Sequence, residues 1–167
     1  MVIRKAKIQD LDGMMALINE YAQQGLMLPR SKLSLCETLH CFSVVVDDTG
    51  EVSEKEGILG VGGLHILWED LAEIRSLAIS QKAVGKGLGK KLVAHLVEEG
   101  QSLGLNRIMA LTYQMTFFDK CGFTVVEKET LPHKVWKDCI NCSKFPSCDE
   151  IAVIKELTPV AAVSNGN

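Results

Sequence analysis

No stretch of this chain is apolar for long enough to approach the roughly 20 residues that a membrane-spanning helix requires. The opening Met1-Val2-Ile3-Arg4-Lys5-Ala6-Lys7 lacks the apolar core of a secretory signal. Basic residues are not in excess. The formal net charge is −3, which argues against nucleic acid as a partner. No internal repeat is evident, so a solenoid is excluded. Two phosphate-binding motifs are also missing. Residues Gly85 to Lys90 do not spell the triphosphate loop G-x-x-x-x-G-K-[ST], and Lys90 stands where the dinucleotide fingerprint needs its last glycine. These absences point to the cytoplasm, where the six cysteines stay reduced, with neither membrane nor nucleic acid expected as partner.

What is present is a globular composition. The chain is 47% hydrophobic and 23% charged over 167 residues, enough for one domain with a real core. That domain is expected over residues 1–157, with a loose tail over 158–167. The most informative stretch is Val84-Gly85-Lys86-Gly87-Leu88-Gly89, flanked by Lys82, Lys90 and Lys91. It follows a predicted strand, 71–80, and opens an amphipathic helix carrying Leu88, Leu92, Val93, Leu96, Val97 and Leu103 on one stripe. Glycine lets backbone approach a ligand closely and tolerates positive φ. The first amides of a helix have no intrahelical acceptor and sit at the positive end of its dipole. A strand, a glycine loop and a helix can therefore hold a phosphate group. The plain alternative is a turn with a glycine-rich cap.

The remaining elements read as follows. Residues 2–7 alternate as a first strand. A helix follows, with Leu11, Met14, Met15, Ile18 and Ala22 on its apolar face, Asp10 and Asp12 in its first turn, and Gly25 at its end. Pro29 forbids a continuing helix, and Ser31 caps a short second one over 32–40. Strands are expected at 41–47, rich in β-branched residues, and at 57–67, where Gly60, Gly62 and Gly63 leave room for close packing or a bulge. A polar hairpin loop, 48–56, lies between them. Trp68-Glu69-Asp70 turns the chain into the 71–80 strand, antiparallel to its predecessor. Beyond the glycine loop come a strand at 105–112, a short helix at 115–120, a strand at 123–127 and a last strand at 150–157. The 71–80 and 105–112 strands should run parallel across the helical crossover.

The glycine segment resembles the acetyl-CoA signature [QR]-x-x-G-x-[GA] of the GNAT acetyltransferase superfamily, with Gly87 and Gly89 in the small positions and Val84 where Gln or Arg is usual. Phe117-Phe118-Asp119-Lys120-Cys121-Gly122-Phe123 resembles that family's F-Y-x-x-x-G-F signature. The order of elements resembles the family over 1–157. The implied fold is α/β (α+β), a mixed central sheet of about six to seven strands flanked by helices. Within the family, Gly25-Leu26-Met27-Leu28-Pro29-Arg30-Ser31, Ala72-Glu73-Ile74-Arg75-Ser76-Leu77-Ala78-Ile79 and Leu111-Thr112-Tyr113-Gln114 look closest to the acetyltransferase domain of the N-acetylglutamate synthases. The larger synthases add an amino-acid-kinase-like domain. The chain resembles a stand-alone short form, for which feedback by arginine through that domain is not expected.

The resemblance implies transfer of acetyl from acetyl-CoA to the amine of a small amino acid, with L-glutamate and arginine synthesis as the expected case. Other small amines, a protein amino group, and a non-catalytic acyl-CoA or metal sensor are alternatives. A base must take the amine proton, often through water. Glu73 is the candidate, its alternative being a solvent-facing strand residue paired with Arg75; His65 on the adjacent strand is the rival. The resemblance assigns the pantetheine arm to the backbone of Leu77, Ala78 and Ile79, on a strand that splays from its neighbour. It assigns the diphosphate to Val84, Gly85, Lys86, Gly87, Leu88, Gly89 and Lys90. The departing thiolate wants a proton, a free thiol titrating near about 8.5. Phe118 replaces the usual tyrosine and has none to give, so it packs against cofactor or core. Tyr113 or water could return the proton. Arg30 and Arg75 can grip a carboxylate through paired hydrogen bonds, or be solvated surface groups. A homodimer is left open.

One feature lies outside the resemblance. Cys139, Cys142 and Cys148 form C-x2-C-x5-C. The first pair has metal-ligand spacing, and a structural zinc would need a fourth ligand from Cys121, His133 or Asp149. Redox-active thiols and plain reduced cysteines are the alternatives.

Overall fold

In the computed structural model, residues 1–48, 57–131 and 150–158 are described. They contain strands β1 (Val2–Lys5), β2 (Phe42–Val46), β3 (Ile58–Trp68), β4 (Leu71–Ile79), β5 (Arg107–Thr112), β6 (Thr124–Val126) and β7 (Ile151–Glu156). The helices are α1 (Leu11–Gln23), α2 (Lys32–Glu37), α3 (Leu88–Ser102) and α4 (Met115–Lys120). The strands form one mixed sheet in the order β1-β2-β3-β4-β5-β7-β6. β3 and β4 are neighbours joined by Glu69 and Asp70 alone, a connection short enough only for antiparallel strands. β4 and β5 are parallel, with Leu71, Ala72 and Glu73 opposite Arg107, Ile108 and Met109. The expected crossover through α3 is thus present. β7 lies between β5 and β6, antiparallel to both. Among the described residues no helix is long and apolar enough to cross a membrane.

The chain divides into two compact units, one of Met1–Leu64 with Ile74–Leu96, the other of His65–Glu73 with Val97–Asn167. In the first unit, Leu11, Met14, Leu17 and Ile18 of α1 pack with Leu35, Phe42, Val44, Ile58, Val61 and Ala78. A second cluster joins Val45, Leu59, Ala83, Leu88 and Leu92, with Leu77 and Ile79 half-buried against it. The glycines of β3 serve this packing. A Cβ on Gly62 would lie 3.0 Å from Leu77 Cδ1 and 3.2 Å from Leu96 Cδ1. The β2–β3 register shifts between Val45 and Val46, opposite Gly60 and Ile58, so this strand pair has a bulge as well as close packing.

The start of the first unit differs from its alternating pattern. β1 stops at Lys5, and a short 3-10 turn, Ile8–Asp10, precedes α1. Asp10 is buried and takes both Nη1 (2.7 Å) and Nη2 (3.1 Å) of Arg4, as well as the backbone N–H of Lys7 (2.7 Å). Burial by itself would push the Asp10 carboxyl up. The hydrogen bonds from Arg4 and Lys7 and their positive charges outweigh it, and the carboxyl sits below the usual range.

In the second unit, Leu71, Met109, Leu131, Ala152 and Ile154 form the core. Leu103 was expected on the α3 stripe and is instead 57% exposed. The helix ends one residue earlier. Gly104 has φ 85°, its N–H bonds Gln101 O, and Leu105 N–H bonds Gly100 O. This paired C-terminal cap turns Leu103 outward and buries Leu105 in its place.

Candidate functional site

The glycine loop sits between a 3-10 turn, Gln81–Ala83, and α3. Val84 is extended and exposed. Gly85 and Gly87 have φ of 88° and 73°, backbone conformations that cost an L-residue roughly 1–2 kcal/mol. A Cβ on either would meet nothing within 4 Å. Conformation, not crowding, therefore calls for glycine here, and the space beside the backbone is open. Gly87 O accepts the N–H of Lys91 at 3.2 Å. The loop thus delivers the chain into the first turn of α3, where the amides of Leu88, Gly89 and Lys90 point out along the axis. Lys82, Lys86, Lys90 and Lys91 are all exposed around it. Outward-pointing amides, a helix dipole and four exposed ammonium groups are an arrangement that can hold an anion.

The strand leading to the loop is not regular. Ser76, in the middle of β4, has φ 56° and is the one non-glycine residue with positive φ among the described residues. Such a conformation is held against a steric cost and tends to mark a site. Beyond it, Leu77 and Ile79 are half-buried and Ala78 is buried. Tyr21 of α1 donates its hydroxyl to Ile79 O at 2.5 Å and accepts from Gln81 Nε2 at 3.1 Å. Burial, helped by the nearby Glu20 charge and opposed by Gln81, raises the Tyr21 pKa, so it remains a donor. One acceptor of the strand end expected to hold the pantetheine arm is thereby shared with α1.

Arg30 is drawn to the same strand. Asn19 of α1 accepts the Arg30 N–H at 3.2 Å and donates to Arg30 O at 3.4 Å. The guanidinium is half-buried, with Nε on Ser76 Oγ at 3.3 Å and Nη1 on Ser34 Oγ at 3.3 Å. Both of these partners are hydroxyls, which help to orient the cation. Ser34 opens on the expected cap, its N–H bonding Ser31 Oγ at 3.1 Å. Arg75 is half-buried on β4 beside Ser76.

In the second unit, Glu73 is 6% exposed, opposite Met109 of β5. This overturns the solvent-facing alternative for Glu73: its carboxylate is inside. His65 of β3 is buried as well. Tyr113 is half-buried in the bend between β5 and α4, which Thr112 shapes by accepting the Gln114 N–H on Oγ1 at 2.7 Å. Phe118 is 4% exposed and makes edge-to-face contacts with Phe117 (5.2 Å) and Phe123 (5.1 Å). Of its two expected roles, the structure displays the packing one.

Cys139, Cys142 and Cys148, with His133 and Asp149, lie outside the described residues. Among the described residues, no group of three His, Cys, Asp or Glu side chains could hold a metal. Asn19, Tyr21, Ser34 and Ser76 were not singled out by sequence. A serine amid β-formers gives no signal of a left-handed backbone, and partners 46 and 58 residues apart leave no local pattern.

Comparison with known proteins adds the following. Residues 11–123 match the profile described as the Acetyltransferase (GNAT) family. An uncharacterized N-acetyltransferase of Chlorobaculum tepidum is 36% identical over 155 residues, 93% of this chain and 96% of that one. An amino-acid acetyltransferase of Mycobacterium tuberculosis is 31% identical over 138 residues, 82% of this chain and 76% of that one. Among solved structures, N-acetylglutamate synthase from Neisseria gonorrhoeae, complexed with coenzyme A and N-acetyl-glutamate, superposes with a TM-score of 0.81 at 26% identity. That match covers 94% of this chain and 35% of the other, so the chain spans about a third of that synthase.

Proposed function

The chain belongs to the Acetyltransferase (GNAT) family and is an acetyl-CoA-dependent N-acetyltransferase, and on that premise we propose that its acceptor is the α-amino group of L-glutamate, the product serving arginine synthesis. The observation that carries this reading is the Arg30 guanidinium, half-buried beside β4 with Ser76 Oγ and Ser34 Oγ each at 3.3 Å. A positive fork oriented in this way suits a carboxylate. The relatives named amino-acid acetyltransferase, and the N-acetyl-glutamate bound by the Neisseria gonorrhoeae synthase, support the same acceptor.

The residues divide the chemistry as follows. The cofactor's diphosphate rests on the amides and lysines of 84–90, and its pantetheine arm runs along the backbone of Leu77, Ala78 and Ile79. Glu73 takes the proton of the acceptor ammonium, directly or through water, so that a neutral amine attacks the thioester carbonyl. A backbone N–H of β4 beyond Ser76 stabilises the oxyanion that forms. As the tetrahedral intermediate collapses, the nitrogen gives up its second proton through water, the C–S bond breaks, and the thiolate takes a proton from Tyr113 or from water. Much of the acceleration comes from holding the two reactants together, an effect worth roughly 7–11 kcal/mol.

Release of free thiol from acetyl-CoA across a panel of amino acids, other amines and peptides tests this. Turnover should be greatest with glutamate, and N-acetylglutamate should accumulate in step with thiol. Turnover confined to a neutral amine or a peptide would replace glutamate as the acceptor.

A further inference from the structure

We propose that Tyr21 is a positioning residue for acetyl-CoA: its hydroxyl pins the peptide joining Ile79 to Ser80, and so sets the strand end that meets the pantetheine arm relative to the glycine loop that meets the diphosphate. This rests on the assignment of those two cofactor segments given above. Tyr21 acts through the backbone and does not need to touch the cofactor.

A ligand that spans two binding segments is held tightly when their separation is set in advance. If it is not, the ligand must order one segment against the other and loses affinity to that ordering. Between β4 and the loop lie only Ser80 and the 3-10 turn Gln81–Ala83. Such a turn has poorer hydrogen-bond geometry than an α-helix and holds an angle weakly by itself. Here the peptide at its start is gripped at both ends. Ile79 O accepts the Tyr21 hydroxyl at 2.5 Å. The N–H of Ser80, in the same peptide unit, bonds Leu59 O of β3 at 2.8 Å. One grip comes from α1 and the other from the sheet. A planar peptide fixed at both its oxygen and its nitrogen is held against rotation about the chain.

The turn is then fastened to that peptide. Ala83 N–H bonds Ser80 O at 2.9 Å, and Lys82 N–H bonds Ser80 Oγ at 3.4 Å. Ala83 is buried in one cluster with Leu59 of β3 and with Leu88 and Leu92 of α3. Gln81 Nε2 donates to the Tyr21 oxygen at 3.1 Å, so one hydroxyl ties the strand end and the turn together. The direction of both bonds is fixed by what each atom can do. Ile79 O only accepts and the Gln81 amide nitrogen only donates, so Tyr21 gives its single proton to Ile79. Burial raises the Tyr21 pKa, and the proton stays on the phenol. The ring packs against the core cluster of α1, which gives the hydroxyl a firm mount.

The test compares acetyl-CoA with S-acetylpantetheine, which carries the arm and the thioester but no diphosphate, at one fixed acceptor. Tyr21→Phe keeps the ring and removes the hydroxyl. It should lower kcat/KM for acetyl-CoA about fivefold, the worth of one hydrogen bond, and do so through KM with kcat unchanged. With S-acetylpantetheine, which engages one segment only, kcat/KM should change less than about twofold. Gln81→Glu leaves Tyr21 in place but offers its proton a carboxylate. It should reproduce the acetyl-CoA defect, and the double variant should be no worse than either single one, because both act on the same bond. An equal loss with the two thioesters would overturn the positioning role and leave Tyr21 as a support of the strand alone. A lowered melting temperature with both kcat/KM values unchanged would overturn it as well. Equal kcat/KM for the two thioesters in wild type would overturn the assignment of the diphosphate to the glycine loop, and this proposal with it. If Tyr21→Phe does not fold, Gln81→Glu, at an exposed position, decides the matter by the same comparison.

Discussion

The two halves of β4 obey different rules although they are consecutive in the chain. Leu71, Ala72, Glu73 and Ile74 are buried, and the first three pair in parallel with β5. Arg75, Ser76, Leu77 and Ile79 are half-buried, the backbone turns left-handed at Ser76, and polar side chains of the loop after α1 and of α1 itself grip the strand at Ser76 and Ile79. The first half satisfies its backbone through the sheet. The second half also lies in the sheet and in addition takes side-chain hydrogen bonds at Ser76 and Ile79, which can be specific to position in a way that a ladder cannot. Glu73 in the first half is enclosed, whereas the second half is gripped by side chains that only folding brings near it.

Glu73→Gln is the strongest test of the first half. It should lower kcat by about 10²–10⁴-fold, the range for a lost general base, with KM for acetyl-CoA nearly unchanged. Retained turnover would make Glu73 a core carboxylate with no chemical role. For the second half, Arg30→Ala should raise KM for glutamate by tenfold or more, on the order of 1.5–3 kcal/mol. Arg30→Lys should recover only part of this, since an ammonium cannot reproduce the fork. Equal effects on glutamate and on neutral amino acids would remove the distinction between the halves.

A control lies in Asp10, a buried carboxylate gripped by an arginine but remote in sequence from the proposed chemistry. Asp10→Asn should cost about 1.5–3 kcal/mol of stability at neutral pH and leave KM for glutamate unchanged. The pH dependence has a definite sign. The folded-state pKa of Asp10 is depressed, so its pairing stabilises the fold fully above the ordinary aspartate value of about 3.9. That contribution is lost as pH falls through the lower folded value. Melting curves of wild type and Asp10→Asn should therefore converge under acid conditions, and a constant gap would show that Asp10 is not the titrating group.

Gly87→Ala should cost roughly 1–2 kcal/mol from its positive φ and raise KM for acetyl-CoA. An unaffected cofactor KM would dissociate the loop from phosphate binding. The smallest effect expected is from Tyr21→Phe, about 1 kcal/mol for one hydrogen bond to Ile79 O. It should appear in KM for acetyl-CoA if the end of β4 carries the pantetheine arm.

The contrast within β4 also explains what the sequence revealed. Elements driven by hydrophobic period were legible: Leu88, Leu92, Val93 and Leu96 of α3 are all buried, and the parallel β4–β5 pair follows from a crossover rule. Glycines announced the loop, and Gly85 and Gly87 adopt the positive φ that glycine tolerates. Gly104 marked the helix end from sequence, as the cap there shows, yet Leu103 was misplaced because apolar spacing alone put it on the buried stripe and the cap turns it outward. Ser76 was invisible because its conformation is imposed by tertiary contacts, not by its own propensity. The roles of Asn19, Ser34 and Tyr21 depend on partners brought close only by folding. Glu73 stood out through family resemblance, yet whether it faced water or the interior required the sheet.

The most direct measurement is the ratio of kcat/KM for glutamate to that for glutamine in the wild-type enzyme. The two differ by one side-chain carboxylate replaced with a neutral amide of the same shape. Selective recognition of that carboxylate predicts a preference for glutamate of on the order of a hundredfold, as a charged hydrogen-bonded pair provides. Equal values for the two amino acids, or a preference for glutamine, would contradict the account.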